Sequence, residues 1–133
     1  MRAKLNALIV GLGLTVAAPV FAHHSFEAEY DSKKPLQVQG TVTKLEWTNP
    51  HARFYVEAKD ESGKVTNWNF ELGSPNVLTR QGWRRDSLKV GDTVTVEAYM
   101  AKDGSNLANA RRVTLADGRK VFAGSTGEGG PGQ

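Results

Sequence analysis

A chain of 133 residues, 39% of them apolar and 23% charged, is sized for one domain around one modest core. It has no cysteine, which excludes disulfides, thiolate metal centres and cysteine nucleophiles. Its 17 Lys and Arg against 14 Asp and Glu suggest an anionic partner, but the first residues remove most of that excess.

The chain opens MRAKLNALIVGLGLTVAAPVFA: a short positive head at Arg2 and Lys4, an apolar run, then small residues. Val20 and Ala22 stand where a signal peptidase requires small side chains, so residues 1–22 read as a cleaved export signal. The apolar stretch is short for a spanning helix and is broken by Gly11, Gly13 and Pro19, which argues against a stable membrane span after processing. Loss of Arg2 and Lys4 leaves 15 basic residues against 14 acids. The expected location is therefore periplasmic or secreted, with a near-neutral mature chain of about 110 residues.

Residues 23–35 form a polar lead-in containing Phe26 and Tyr30. From Leu36 the pattern alternates, with Leu36, Val38 and Val42 on one face, and the phase flips before Leu45 and Trp47. A flip in a strand that contains Gly40 predicts a bulge or coil that lets one long strand serve two neighbours. The second strand alternates Ala52, Phe54, Val56 and Ala58 inward with Arg53, Tyr55 and Glu57 outward. A turn at DESGK leads to a third strand with Trp68, Phe70 and Leu72 inward and Asn67, Asn69 and Glu71 outward.

Ser74 as N-cap, Pro75 at the first helical position and Gly82 at the end predict a short helix. Two further strands follow, SLKVGDTVTVEAYM with a turn at Lys89 to Asp92, then NLANARRVTL, and a turn at ADGRK leads to a short VF strand. Residues 123–133 read as a flexible glycine-rich tail. Three strands, a helix and two strands describe an all-β chain with one short helix, a five-stranded OB-like barrel over residues 36–122. A small β-sandwich is the alternative.

Chemistry concentrates in the three histidines. Cleavage after Ala22 makes His23 the mature amino terminus, whose α-amine and imidazole Nδ1 can chelate one metal ion. The amine sheds its proton readily, at a pKa of about 8. A second imidazole would complete a three-nitrogen, T-shaped site of the kind that suits copper. His51, held at the start of the second strand, is the natural candidate, and His24 could bind through its own amide instead. A second constellation is the outward row Arg53, Tyr55, Asn67 and Asn69, suited to a small ligand or an envelope protein. Single-stranded nucleic acid is not expected, because that row lacks a stacking platform and a basic groove.

Residues 80–122 hold nine basic residues and five acids, with Trp83 among arginines in RQGWRRD. That tryptophan reads as core, with arginine stems over its rim. No G-x-S-x-G elbow, P-loop, dinucleotide fingerprint or H-E-x-x-H is found, so the expected role is binding and not catalysis.

HHSF after the signal, EWTNPH, GSPN, LTRQGW, SLKVGDTVTVE and KDGSNLANARRVTL together resemble a family of small exported bacterial proteins catalogued as a domain of unknown function. The resemblance runs from His23 to about Phe122. It implies an exported location, and it makes the two histidine-bearing stretches, residues 23–26 and 47–51, family motifs.

Overall fold

The computed structural model describes residues 26–123. The expected export signal, His23, His24 and the expected glycine-rich tail after Ala123 lie outside the described residues. A single helical turn at residues 26–29 leads into β1 (Tyr30–Glu46), followed by β2 (Arg53–Lys59), β3 (Val65–Glu71), α1 (Pro75–Arg80), β4 (Thr93–Ala101), β5 (Leu107–Leu115) and β6 (Lys120–Phe122).

The strands pair in the order β3-β2-β1-β4-β5-β6, and a further parallel pairing of β3 with β5 closes five of them into a ring. That connectivity is OB-like, with β1 shared between two neighbours and a helix between β3 and β4. A sandwich would leave two separate sheets. Here Asn69, Phe70 and Glu71 pair with Leu107, Ala108 and Asn109, so one sheet runs round the molecule.

The phase flip in β1 has a direct structural cause. Residues 35–41 of β1 pair with β4, and residues 41–46 pair with β2. Between Val42 and Lys44 the register shifts, so Thr43 is the extra residue of a bulge and Leu45 is turned back toward the core. Gly40 matters for a different reason. A Cβ there would lie 2.3 Å from the Glu57 carbonyl oxygen and 2.6 Å from Val56 Cγ1. Only glycine lets β1 cross β2 that closely.

Inside the ring, Val38, Val42, Phe54, Val56, Phe70, Leu72, Val94, Val96 and Val113 form the core with Leu78, Trp83 and Leu88. Phe54 and Phe70 stack with centroids 5.2 Å apart. α1 adds Leu78 to that core. Ser74 Oγ accepts from the Val77 amide, Pro75 occupies the first turn, and Gly82 at φ +93° ends the helix. Trp83 is a core residue, while Arg84 and Arg85 are exposed.

The polar lead-in differs from expectation. Its residues 30–35 already belong to β1, and Phe26 and Tyr30 are buried. With Ala101 they make a second, smaller apolar cluster on the outer wall, against Tyr99 and Leu107. Residues 26–30 thus lie across the outside of the ring as a strap. Among the described residues no helix is long and apolar enough to cross a membrane.

Candidate functional site

The site is built where β2 and β3 pair. Arg53 lies opposite Glu71, and backbone bonds from Ala52 to Gly73 and from Leu72 to Ala52 carry the pairing one step further. His51 and Arg53 therefore stand on the same outward side of the chain, both within reach of the Glu71 carboxylate across the strand.

Glu71 is only 5% exposed although it sits on the outer wall. Its Oε1 lies 3.1 Å from His51 Nδ1. Its Oε2 accepts from the Tyr30 hydroxyl at 2.9 Å and from Arg53 Nη2 at 2.7 Å. One carboxylate thus joins the strap, β2 and His51 two positions ahead of β2. Arg53 Nη1 also donates to Asn69 Oδ1 at 3.4 Å.

The electrostatics follow from these contacts. Burial by itself would raise the Glu71 carboxyl, but His51, Tyr30 and Arg53 together outweigh it and hold it below the ordinary carboxylate value. Hydrogen bonding to Glu71 raises His51 above the ordinary imidazole value, against the opposing pull of burial and Arg53. Burial, then the neighbouring Glu71 charge, raises the Tyr30 hydroxyl, so it remains a donor. Glu29, on the strap, is raised by burial and by Glu71. The site therefore holds an anionic hub balanced by one guanidinium, with a second carboxyl close by.

With Nδ1–H committed to Glu71, the His51 ring presents Nε2 as its lone-pair nitrogen. A carboxylate behind a histidine is the arrangement that fixes the tautomer and orientation of a metal-binding imidazole. Among the described residues no group of three or more His, Cys, Asp or Glu is gathered to hold a metal ion. His23 and His24, the other donors expected from the sequence, lie outside the described residues.

The second constellation is partly drawn into the first. Arg53 and Asn69 belong to the Glu71 network. Tyr55 is directed the other way, its hydroxyl 3.4 Å from Glu46 Oε2 and its ring 5.3 Å from Lys44 Nζ. Asn67 is exposed, opposite Glu57 one step further along. Sequence reasoning placed Glu71 on the outward face without giving it a role behind His51, and it missed Tyr30 altogether. The available signal was the spacing of Phe26 and Tyr30, four residues apart in a polar stretch, as for two aromatics on one face of a helical turn.

No curated protein matches this chain. Among solved structures, it is similar to the mitochondrial single-stranded DNA binding protein Rim1 of S. cerevisiae, at 12% identity and a TM-score of 0.49, over 62% of this chain and 93% of that one. A family profile covers residues 12–110, most of the ring and part of the region ahead of it. The chain belongs to that family, described as a family of unknown function (DUF6152).

Proposed function

We propose that this is an exported, non-enzymatic binding protein that coordinates copper through His51 and the amino-terminal histidine left by processing after Ala22. His51 supplies an imidazole oriented by Glu71. His23 supplies an amine and an imidazole on one residue, with His24 as the alternative donor.

One observation carries the reading: Glu71 holds His51 with one oxygen and Tyr30 with the other. The strap that leads back to His23 is therefore fastened to the same carboxylate as the candidate ligand. Phe26 is seated on the wall, and the three residues from there to His23 span at most about 10 Å of chain.

Copper titration of protein starting at His23, beside protein with one extra residue ahead of it and a His51→Ala variant, tests this. The correctly processed protein should bind at least about tenfold tighter than either control, since losing a donor should cost no less than losing an outer-shell partner of one. Equal weak binding by all three would remove both the amine and His51 from the site.

A second reading is an interaction module in which the outward row receives an envelope protein or small ligand. It is favoured by the exposure of Asn67 beside the polar pair Arg53 and Asn69. Under it, replacing His23 and His51 leaves a cellular partner bound in a pull-down, whereas Asn67→Ala with Asn69→Ala releases it.

A further inference from the structure

We infer that residues 26–30 are a releasable strap over a polar seat on the outer wall of the ring, and that its lifting and seating regulate access to the Glu71 site.

Three independent observations lead there. The first is the hinge. Tyr30 pairs with Ala101 and the next pairing is Pro35 with Tyr99, so four residues of β1 bridge a single residue of β4. Ser32, Lys33 and Lys34 in that span are exposed, and a groove of about 390 Å³ opens beside it at Pro35, Tyr99 and Arg111. The strap is thus joined to the ring by a stretch that is not held in the ladder.

The second is that the strap has its own small apolar cluster, separate from the core inside the ring. Phe26 meets Tyr30 at 5.5 Å and Tyr99 at 6.2 Å, Tyr30 bonds Glu71, and the Lys102 amide and ammonium donate to the Glu29 and Glu27 carbonyls. Those few contacts can break together without disturbing Phe54 or Phe70. Local opening of this kind needs only the free energy of the contacts in the unit that moves.

The third is Asn109. It lies in the outward row of β5, 0% exposed, with both its amide nitrogen and its oxygen lacking a hydrogen-bond partner. Its register neighbours are Glu71 on β3 and Tyr99 on β4, and each of those touches the strap. A buried amide stripped of partners opposes the state that buries it, and lifting the strap returns it to water. The seated strap is therefore held by aromatic packing and by the bonds to Glu71 and from Lys102, against a standing polar penalty.

Lifting the strap would carry Phe26 off the wall and would bare Glu71, Asn109 and Tyr99. Its regulatory meaning rests on the copper reading above; its existence does not. Amide exchange of the metal-free protein, followed by NMR, tests the strap alone. The Lys102 amide, which donates to Glu29, reports seating and should exchange well before the amides of β2. Tyr30→Phe should speed Lys102 exchange roughly tenfold, the loss expected for one hydrogen bond to a charged acceptor, with β2 unchanged. Asn109→Leu should slow it. Lys102 exchange at the rate of the ring core in the wild type, or equal acceleration of both by Tyr30→Phe, overturns the proposal. Adding copper to the processed protein should then slow Lys102 exchange. A strap that opens as described but ignores copper counts against the metal reading and leaves the strap intact.

Discussion

Phe70 and Glu71 are chain neighbours on β3 with almost no exposed surface, yet they are buried on opposite sides of the same wall. Phe70 points into the ring, where it stacks on Phe54 at 5.2 Å and on Trp68 at 6.1 Å. Glu71 points outward and is covered by a strap that begins 45 positions earlier in the chain. The inner wall is held by apolar area, which is indifferent to protonation. The outer wall is held by a polar network in which each partner is needed by the others. The two sides should therefore respond differently to truncation, to backbone crowding and to pH.

The largest effect belongs inside. Phe70→Ala removes a ring from the centre of the stack and should cost about 3–5 kcal/mol, a large share of the stability of a domain this size. A urea midpoint shifted by much less would mean that the core is looser than the stacking distances indicate. Outside, Glu71→Ala leaves Tyr30, Arg53 and His51 without their acceptor and should cost roughly 2–3 kcal/mol. That is below the full figure for breaking a buried ion pair, because Arg53 keeps access to water. The same change should lower the imidazole titration of His51 followed by NMR. A truncation that destabilises the protein but leaves His51 titrating as before would show that the two are not coupled.

Gly40 tests whether the walls share one backbone. Gly40→Ala drives a Cβ into the Glu57 carbonyl and Val56, so β1 and β2 must separate where the ring turns. The expected cost is about 1–3 kcal/mol, typical of overpacking. It should appear in exchange at Val56 and Glu57 before it appears at the strap. Strap amides responding first would mean that the outer network, not the strand crossing, absorbs the strain.

The inner wall is legible in the sequence and the outer wall is not, for a physical reason. Alternation reports which side of a strand a residue occupies, so Ala52, Phe54, Val56, Phe70 and Leu72 can be placed inward from their spacing alone. The bulge at Thr43 leaves its mark as a change of phase, and α1 announces itself through Ser74, Pro75 and Gly82. Alternation also puts Glu71 on the correct side, but it carries no information about what lies on that side. The burial of Glu71 depends on Tyr30, 41 residues away, and no local pattern encodes that distance. Asn109 is hidden for the same reason. His51 can be singled out by its chemistry, while the carboxylate behind it requires the register of β2 on β3.

The smallest expected effect distinguishes the walls most cleanly. In metal-free protein His51 is raised from its ordinary value of 6.5, chiefly by its bond to Glu71. The stabilisation from that shift is complete below 6.5 and is lost as pH rises through the higher folded value. Glu71 is lowered from 4.5, because its three partners outweigh burial. Its contribution is complete above 4.5 and is lost as pH falls through the lower folded value. The two overlap fully only between those ordinary values, so the outer network should hold best in mildly acidic solution. His51 keeps 39% of its side-chain surface in water, which screens the interaction and keeps the effect modest. Urea midpoints of the wild type and His51→Gln should differ at about pH 6 and converge by about pH 9, where the imidazole is neutral in both folded and unfolded chains. A gap between them that does not change with pH would mean that His51 acts through packing alone. Phe70→Ala, by contrast, should shift the midpoint by the same amount at both pH values, since nothing it touches inside the ring takes up a proton.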